Sequence, residues 1–152
     1  MNIEGTRFGA IDFTEEDVVL FPEGLVGFSK LQHHVVVCPK PGSPFRWLQS
    51  LEEPGLAFLV TDPTVYVPDY DPRVDEGFIK ALELDKETPR LLFTTVTIPH
   101  GHPEDMTINL AAPIVINALT RRAKQIVLED QAYTIKHRVF QTADVSGEKQ
   151  VA

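Results

Sequence analysis

The chain has a single cysteine, Cys38, and a single tryptophan, Trp47. One cysteine excludes an intramolecular disulfide and leaves no cysteine pair for a structural zinc site; it is consistent with a reducing cytoplasm. No stretch approaches the ~18 consecutive apolar residues needed to span a bilayer as a helix. The N-terminal "MNIEGTRFGAIDF" lacks the basic segment and long apolar run of a secretory signal. Basic residues are in deficit: 14 Lys+Arg stand against 22 Asp+Glu, a net charge of −8. Such a surface repels phosphate backbones, which argues against direct nucleic-acid binding, and draws basic protein partners. There is no phosphate-cradling glycine loop, no dinucleotide fingerprint and no Gly-x-Ser-x-Gly elbow.

Proline and glycine, by contrast, recur at short intervals, as in "FPEG" from Phe21, "PKPGSP" from Pro39 and "EEPG" from Glu52. Between them lie short runs rich in Val, Ile, Phe, Leu and Thr. That alternation predicts a mainly β, single-domain, antiparallel barrel-like fold with one or two short helices. Strands are expected near Phe8–Phe13, Asp17–Leu20, His34–Pro39, Ala57–Thr61, Arg90–Ile98, Met106–Asn109, Ile114–Asn117, Lys124–Leu128 and Tyr133–Arg138. "RWLQSLEE", Arg46–Glu53, reads as a helix with Trp47, Leu48 and Leu51 on one face. In "DPRVDEGFIKALEL", Asp71 is the expected cap, Pro72 the first helical residue, and Val74, Phe78 and Leu82 the buried stripe. The domain is expected to occupy 1–140, with 141–152 a flexible tail.

Several residues are candidates for function, each with a plainer structural reading. His100 and His102 in "PHGHPED" are spaced for chelation, with Glu104 or Asp105 as helpers, but a solvated turn explains them as well. Cys38 ends an apolar run, where a cysteine is usually a small core hydrophobe; His34 on the same strand lies about 13 Å away at strand rise, too far to activate it. Asp12, Glu15, Glu16 and Asp17, in "DFTEEDVV", form either a solvated turn or a docking rim for a basic partner. Asp69, Tyr70 and Asp71 form a stiff acidic loop around an aromatic ring, which is either a binding hot spot or a cover for the core edge. Trp47 and Leu48, with Phe28 and Phe45, either line an apolar groove or belong to the core.

"TINLAAPIVIN", from Thr107 to Asn117, is strongly apolar yet contains Asn109, Pro113 and Asn117. Pro113 cannot donate to a strand ladder, so "NLAAP" is expected to bend the chain. Asn109 would then satisfy backbone groups at the bend and Asn117 those of the next turn, "NALTRRAK". The functional alternative places both amides on a binding rim.

Taken in order, "RFGAIDF", "FPEGLVGF", "PFRWLQSLEEPGLAFLVTDP", "PDY" at Pro68–Tyr70, "NLAAPIVIN", "QIVLED" and Tyr133 resemble the flagellar assembly factor FliW family, over nearly the whole chain to about Val139. The resemblance implies a non-enzymatic, cofactor-free cytoplasmic protein of β-barrel-like fold. It implies binding to flagellin and to the translational repressor CsrA, as a switch between the two, without membrane or nucleic-acid contact. A monomer is expected. The rival reading is a small-molecule- or metal-binding β-barrel, possibly a hydrolase, using His100, His102 and Cys38.

Overall fold

The computed structural model describes residues 1–129 and 132–140, so the expected tail, 141–152, lies outside the described residues. In chain order the strands are β1 (Asn2–Thr6), β2 (Gly9–Asp12), β3 (Val18–Leu20), β4 (His33–Val37), β5 (Phe45–Ser50) and β6 (Ala57–Thr61). After the helix α1 (Glu76–Ala81) come β7 (Arg90–Thr97), β8 (Thr107–Ile108), β9 (Ile114–Asn117), β10 (Ala123–Gln125) and β11 (His137–Arg138). β1 and β2 form a separate hairpin. The main sheet runs β10-β9-β7-β6-β5-β4-β3, with β8 bonded to β7 and β11 to β8. Every pairing between these strands is antiparallel.

The fold is mainly β and barrel-like, as expected, but it does not close through a full ladder. A single parallel bridge, Leu20 to Arg122, joins the two ends of the path. It is held by the Leu20 amide donating to the Arg121 carbonyl at 2.9 Å and by the Arg121 guanidinium donating to the Asp17 carbonyl at 3.1 Å. Inside the curl, Val19, Phe21, Leu48, Val60, Phe93, Ile114 and Ile116 form the central core. Val115 faces the other way. It packs with Leu82, Leu84 and Ile126, and with Phe78 and Ile79 of α1, so the helix covers the outside of β9. The period-two alternation of "IVIN" therefore feeds two cores, which explains why all four of its residues are buried.

The expected helix at Arg46–Glu53 is strand β5 instead. It pairs with β4 along one edge and β6 along the other, and its Phe and Trp suit a pleated surface. Leu48 is fully buried in the core while Trp47, on the opposite face, is half-buried. The second expected helix exists but starts later. Asp75, not Asp71, is the cap, its carboxylate accepting from the Phe78 amide at 3.1 Å. Val74 and Phe78 still pack in the predicted stripe with Leu82. The strand β1 was not expected, because "NIEGT" carries a glycine and little apolar character. Tyr133 lies outside any strand, and β11 is only two residues long.

"TINLAAPIVIN" forms two strands, β8 and β9, on the same edge of β7, separated by an irregular stretch. Ile108 stands opposite Val96, and Ile114 opposite Phe93. Between these pairs β7 uses two residues, Thr94 and Thr95, while the partner chain uses five, Asn109–Pro113. The three extra residues interrupt the ladder, with Leu110 and Ala112 buried, and Pro113 sits buried just before β9.

His34 is fully buried on β4, edge-on to Phe21 with ring centroids 5.1 Å apart, and neither ring nitrogen has a hydrogen-bond partner among the described residues. Aromatic faces are the imidazole's main company. Burial pushes its pKa down from 6.5 to about 4, with the Glu52 charge opposing and His33 adding to the fall. Between those values the unfolded chain holds more protons than the folded one. Stability therefore falls as pH drops from about 6.5 to about 4, by roughly 3 kcal/mol from this group. Urea melts across that range should show the loss, and His34→Leu should flatten it. Parallel pH curves for the two proteins would contradict this assignment.

Candidate functional site: an apolar groove and an acidic hollow

A groove of about 710 Å³ opens on the surface. Its origin is a strand divergence. β6 and β7 pair only at Val60 with Thr95 and Thr61 with Thr94. Beyond them Ala57, Phe58 and Leu59 form one wall and Val96, Thr97 and Ile98 the other. The turn Leu25–Phe28 closes one side, and Trp47 with Arg7 the other lip. Three exposed apolar side chains line it: Val26 is 57% exposed, Phe28 40% and Ile98 46%.

Two sequence features build this groove. In "FPEGLVGF", Gly24 holds φ +69, and a Cβ there would lie 2.5 Å from the carbonyl oxygens of Phe28 and Ser29. Only glycine fits that close backbone approach. Leu25 and Phe28 then exchange backbone hydrogen bonds of 3.2 and 2.7 Å, with Gly27 at φ +83 as a tight turn requires. Phe28 stacks edge-on to Phe58 at 5.1 Å. The irregular "NLAAP" stretch supplies the second feature. Asn109 lines the groove, its side-chain oxygen accepting from the Ala111 amide at 3.0 Å. Gln125 ties the two together: its oxygen accepts from the Val26 amide at 2.9 Å, and its amide donates to the Ala112 carbonyl at 3.2 Å.

Arg7, in the turn between β1 and β2, lays its guanidinium 4.0 Å from the centre of the Trp47 ring. Phe8 meets the same ring edge-on at 5.7 Å. Among the described residues, Arg7 is the only charged side chain lining the groove.

A second hollow of about 480 Å³ lies at the other end of the β1–β2 hairpin, lined by Met1, Phe13, Val18 and Leu51 with Glu15, Glu52 and His33. The Glu52 carboxylate meets the His33 ring at 2.7 Å. Partial burial alone would raise the Glu52 pKa. Hydrogen bonds from the His33 ring and from the His33 and Gln32 amides outweigh it, and the carboxyl is held below its ordinary range. Glu16 and Asp17 stand exposed beside Glu15 in a short 3-10 turn. The Thr14 amide donating at 2.9 Å is the main reason the Asp17 carboxyl also sits below its ordinary range. The Glu52 and Asp17 carboxylates therefore stay charged through neutral pH.

The other sequence candidates fall elsewhere. Leu48 lies in the core at 0% exposure, not on the groove. Tyr70 is buried: its hydroxyl donates to the Leu110 carbonyl at 2.7 Å and its ring meets Tyr133 edge-on at 4.8 Å, so it covers the core edge. Burial, with Tyr133 adding, pushes its phenol pKa well up. Asp69 and Asp71 flank it in solvent. Asn117 is 1% exposed and satisfies turn backbone on both sides, so it is no rim residue. Phe45 is half-buried and does not line the groove. Cys38 and His100 are exposed. Among the described residues, the one potential ligand cluster is His102, Glu104 and Asp105, which includes neither of them. His102 pairs with Glu104 at 3.1 Å and Asp105 with Arg138 at 2.8 Å, so these groups already have partners. The sequence reading missed Arg7, Val26, Ile98 and Gln125. Two apolar residues flanking a turn glycine, in "LVGF", were the available signal.

The FliW protein family model matches residues 2–139. The flagellar assembly factor FliW of Caldanaerobacter subterraneus subsp. tengcongensis is 40% identical over 142 residues, 93% of this chain and 94% of that protein. That of Thermotoga neapolitana is 37% identical over 135 residues, covering 89% and 91%. A crystal structure of the flagellar assembly factor FliW superposes with a TM-score of 0.84 at 34% identity, covering 92% of this chain and 97% of that one. These relatives are flagellar assembly factors. Among the described residues no helix is long and apolar enough to cross a membrane. With the groove-building motifs "FPEGLVGF" and "NLAAPIVIN" inside the matched region, the chain belongs to the FliW family of flagellar assembly factors.

Proposed function

We propose that this protein binds cytoplasmic flagellin and antagonises the translational repressor CsrA, exchanging one partner for the other as a monomer. The observation that carries the proposal is the groove of about 710 Å³ with Val26, Phe28 and Ile98 exposed along it. Exposed apolar side chains gathered in one concavity are the mark of a docking surface, and a chain that must be kept from self-assembly is a natural occupant. The acidic hollow beside Glu15, Glu16 and Asp17 suits a basic, RNA-binding repressor. The β1–β2 hairpin reaches both places, with Arg7 on the groove and Met1 and Phe13 on the hollow. Displacing the hairpin at one end is a physical route by which one partner weakens the other. Asp69 and Asp71 offer a further acidic contact on a rigid loop.

Phe28→Asp should weaken flagellin binding at least tenfold, the scale of a lost central anchor. Its effect on melting should be small, because Phe28 is 40% exposed. Calorimetric titration with flagellin checks this. Unchanged affinity would remove the groove from the account, and no binding by the unaltered protein would remove flagellin.

A further inference from the structure

We propose that the groove takes an extended segment of its partner by strand addition at Ala57, the unpaired end of β6, with a carboxylate of that segment seated on Arg7. This rests on the groove being the flagellin site, and it says how the site is filled.

The ladder parity fixes which backbone groups face the groove. The Ser50 amide donates to the Leu56 carbonyl at 3.0 Å, in the same register as the β5–β6 pairs. Backbone groups of Leu56, Phe58 and Val60 therefore point toward β5, and those of Ala57, Leu59 and Thr61 point toward β7, with Leu59 flanking the Val60–Thr95 pair. Thr61 finds its partner in Thr94. Ala57 does not: among the described residues no strand pairing or hydrogen bond joins it to β7. Its N–H and C=O look into the groove.

Exposed edges are ordinarily blunted by a lysine, a proline or a bulge, because an open edge templates pairing with another chain. "AFLVT" has no charge, no proline and no irregularity in its pairing with β5. An apolar edge left open beside exposed Val26, Phe28 and Ile98 is built to receive a strand, whose alternate side chains would enter the groove. A helix would leave the Ala57 backbone groups unsatisfied beneath it, at a desolvation cost.

Arg7 supplies the charge argument. Among the described residues its guanidinium makes no ion pair, and its ring contacts with Trp47 and Phe8 leave its N–H groups available. In a chain of net charge −8, an unpaired guanidinium at the lip of an apolar groove selects a carboxylate.

The test is amide hydrogen exchange by NMR on the full chain, with and without full-length flagellin monomer. Strand addition predicts that the Ala57 amide slows by about tenfold or more on binding, as a newly made ladder bond requires. Ala57→Pro removes that N–H and should cost about tenfold in flagellin affinity; Arg7→Gln should cost about threefold or more. If flagellin binds and Phe28→Asp blocks it, yet Ala57 exchange is unchanged, the groove reading stands and strand addition is overturned. If flagellin does not bind at all, the flagellin reading fails and this inference fails with it.

Discussion

Gly24→Ala is expected to lower stability by about 3 kcal/mol, roughly 10 °C in melting temperature for a chain of this size. Two costs add. The backbone is held at φ +69, a conformation that penalises any Cβ, and the new methyl would overlap the carbonyl oxygens of Phe28 and Ser29 at 2.5 Å. Those oxygens belong to backbone, so they cannot swing aside as a flexible side chain would. Gly27→Ala is the internal control. Its φ is +83, but no atom lies within 4 Å of the added Cβ. It should bear the conformational cost alone, about 1 kcal/mol. Equal melting temperatures for the two variants would mean that close approach does not define this turn. Because the same turn carries Val26 and Phe28 into the groove, Gly24→Ala should also weaken partner binding at temperatures where it remains folded.

Asn117→Ala is expected to cost about 2–4 kcal/mol, the range for stripping several buried polar groups of their partner. The side-chain amide donates to the Leu82 carbonyl at 2.7 Å, and its oxygen accepts from the Leu119 and Thr120 amides at 2.9 and 3.1 Å. One residue thereby closes the β9–β10 turn and anchors the end of α1. That end is strained. Glu83 sits at φ +56 where helices usually place glycine, and the Leu84 amide returns to the Ile79 carbonyl at 3.0 Å. Chemical denaturation should show the loss as a lower midpoint with an unchanged slope. A loss below about 0.5 kcal/mol, the level of an ordinary surface change, would refute this role.

Much of the fold was legible because turn residues and β-branched runs carry their own geometry. "LLFTTVTI" became β7, the longest strand among the described residues, and Pro113 with Asn109 marked the break between the strands beside it. The helix expected at Arg46–Glu53 was a misreading of period. Trp47, Leu48 and Leu51 fit one helical face, but Trp47 and Leu48 lie on opposite faces of β5, one meeting the β1–β2 turn and the other the core. That double burial depends on partners distant in the chain, which local pattern cannot reveal. The site was less legible for the same reason. The groove depends on β6 and β7 parting after Val60 and Thr95, an event of sheet register. Trp47 was found as a lining residue, whereas Leu48, Tyr70 and Asn117 turned out to be interior. Exposed acids at Glu15, Glu16 and Asp17 needed only composition to be noticed, but their position beside an apolar hollow needed the fold.

The most direct test of the partner exchange is displacement. Flagellin monomer is titrated into a preformed complex of this protein with labelled CsrA, and released CsrA is followed by fluorescence anisotropy. The account predicts release as flagellin rises, and no release with the Phe28→Asp variant. Flagellin and CsrA held together on one molecule with neither weakening the other would contradict it.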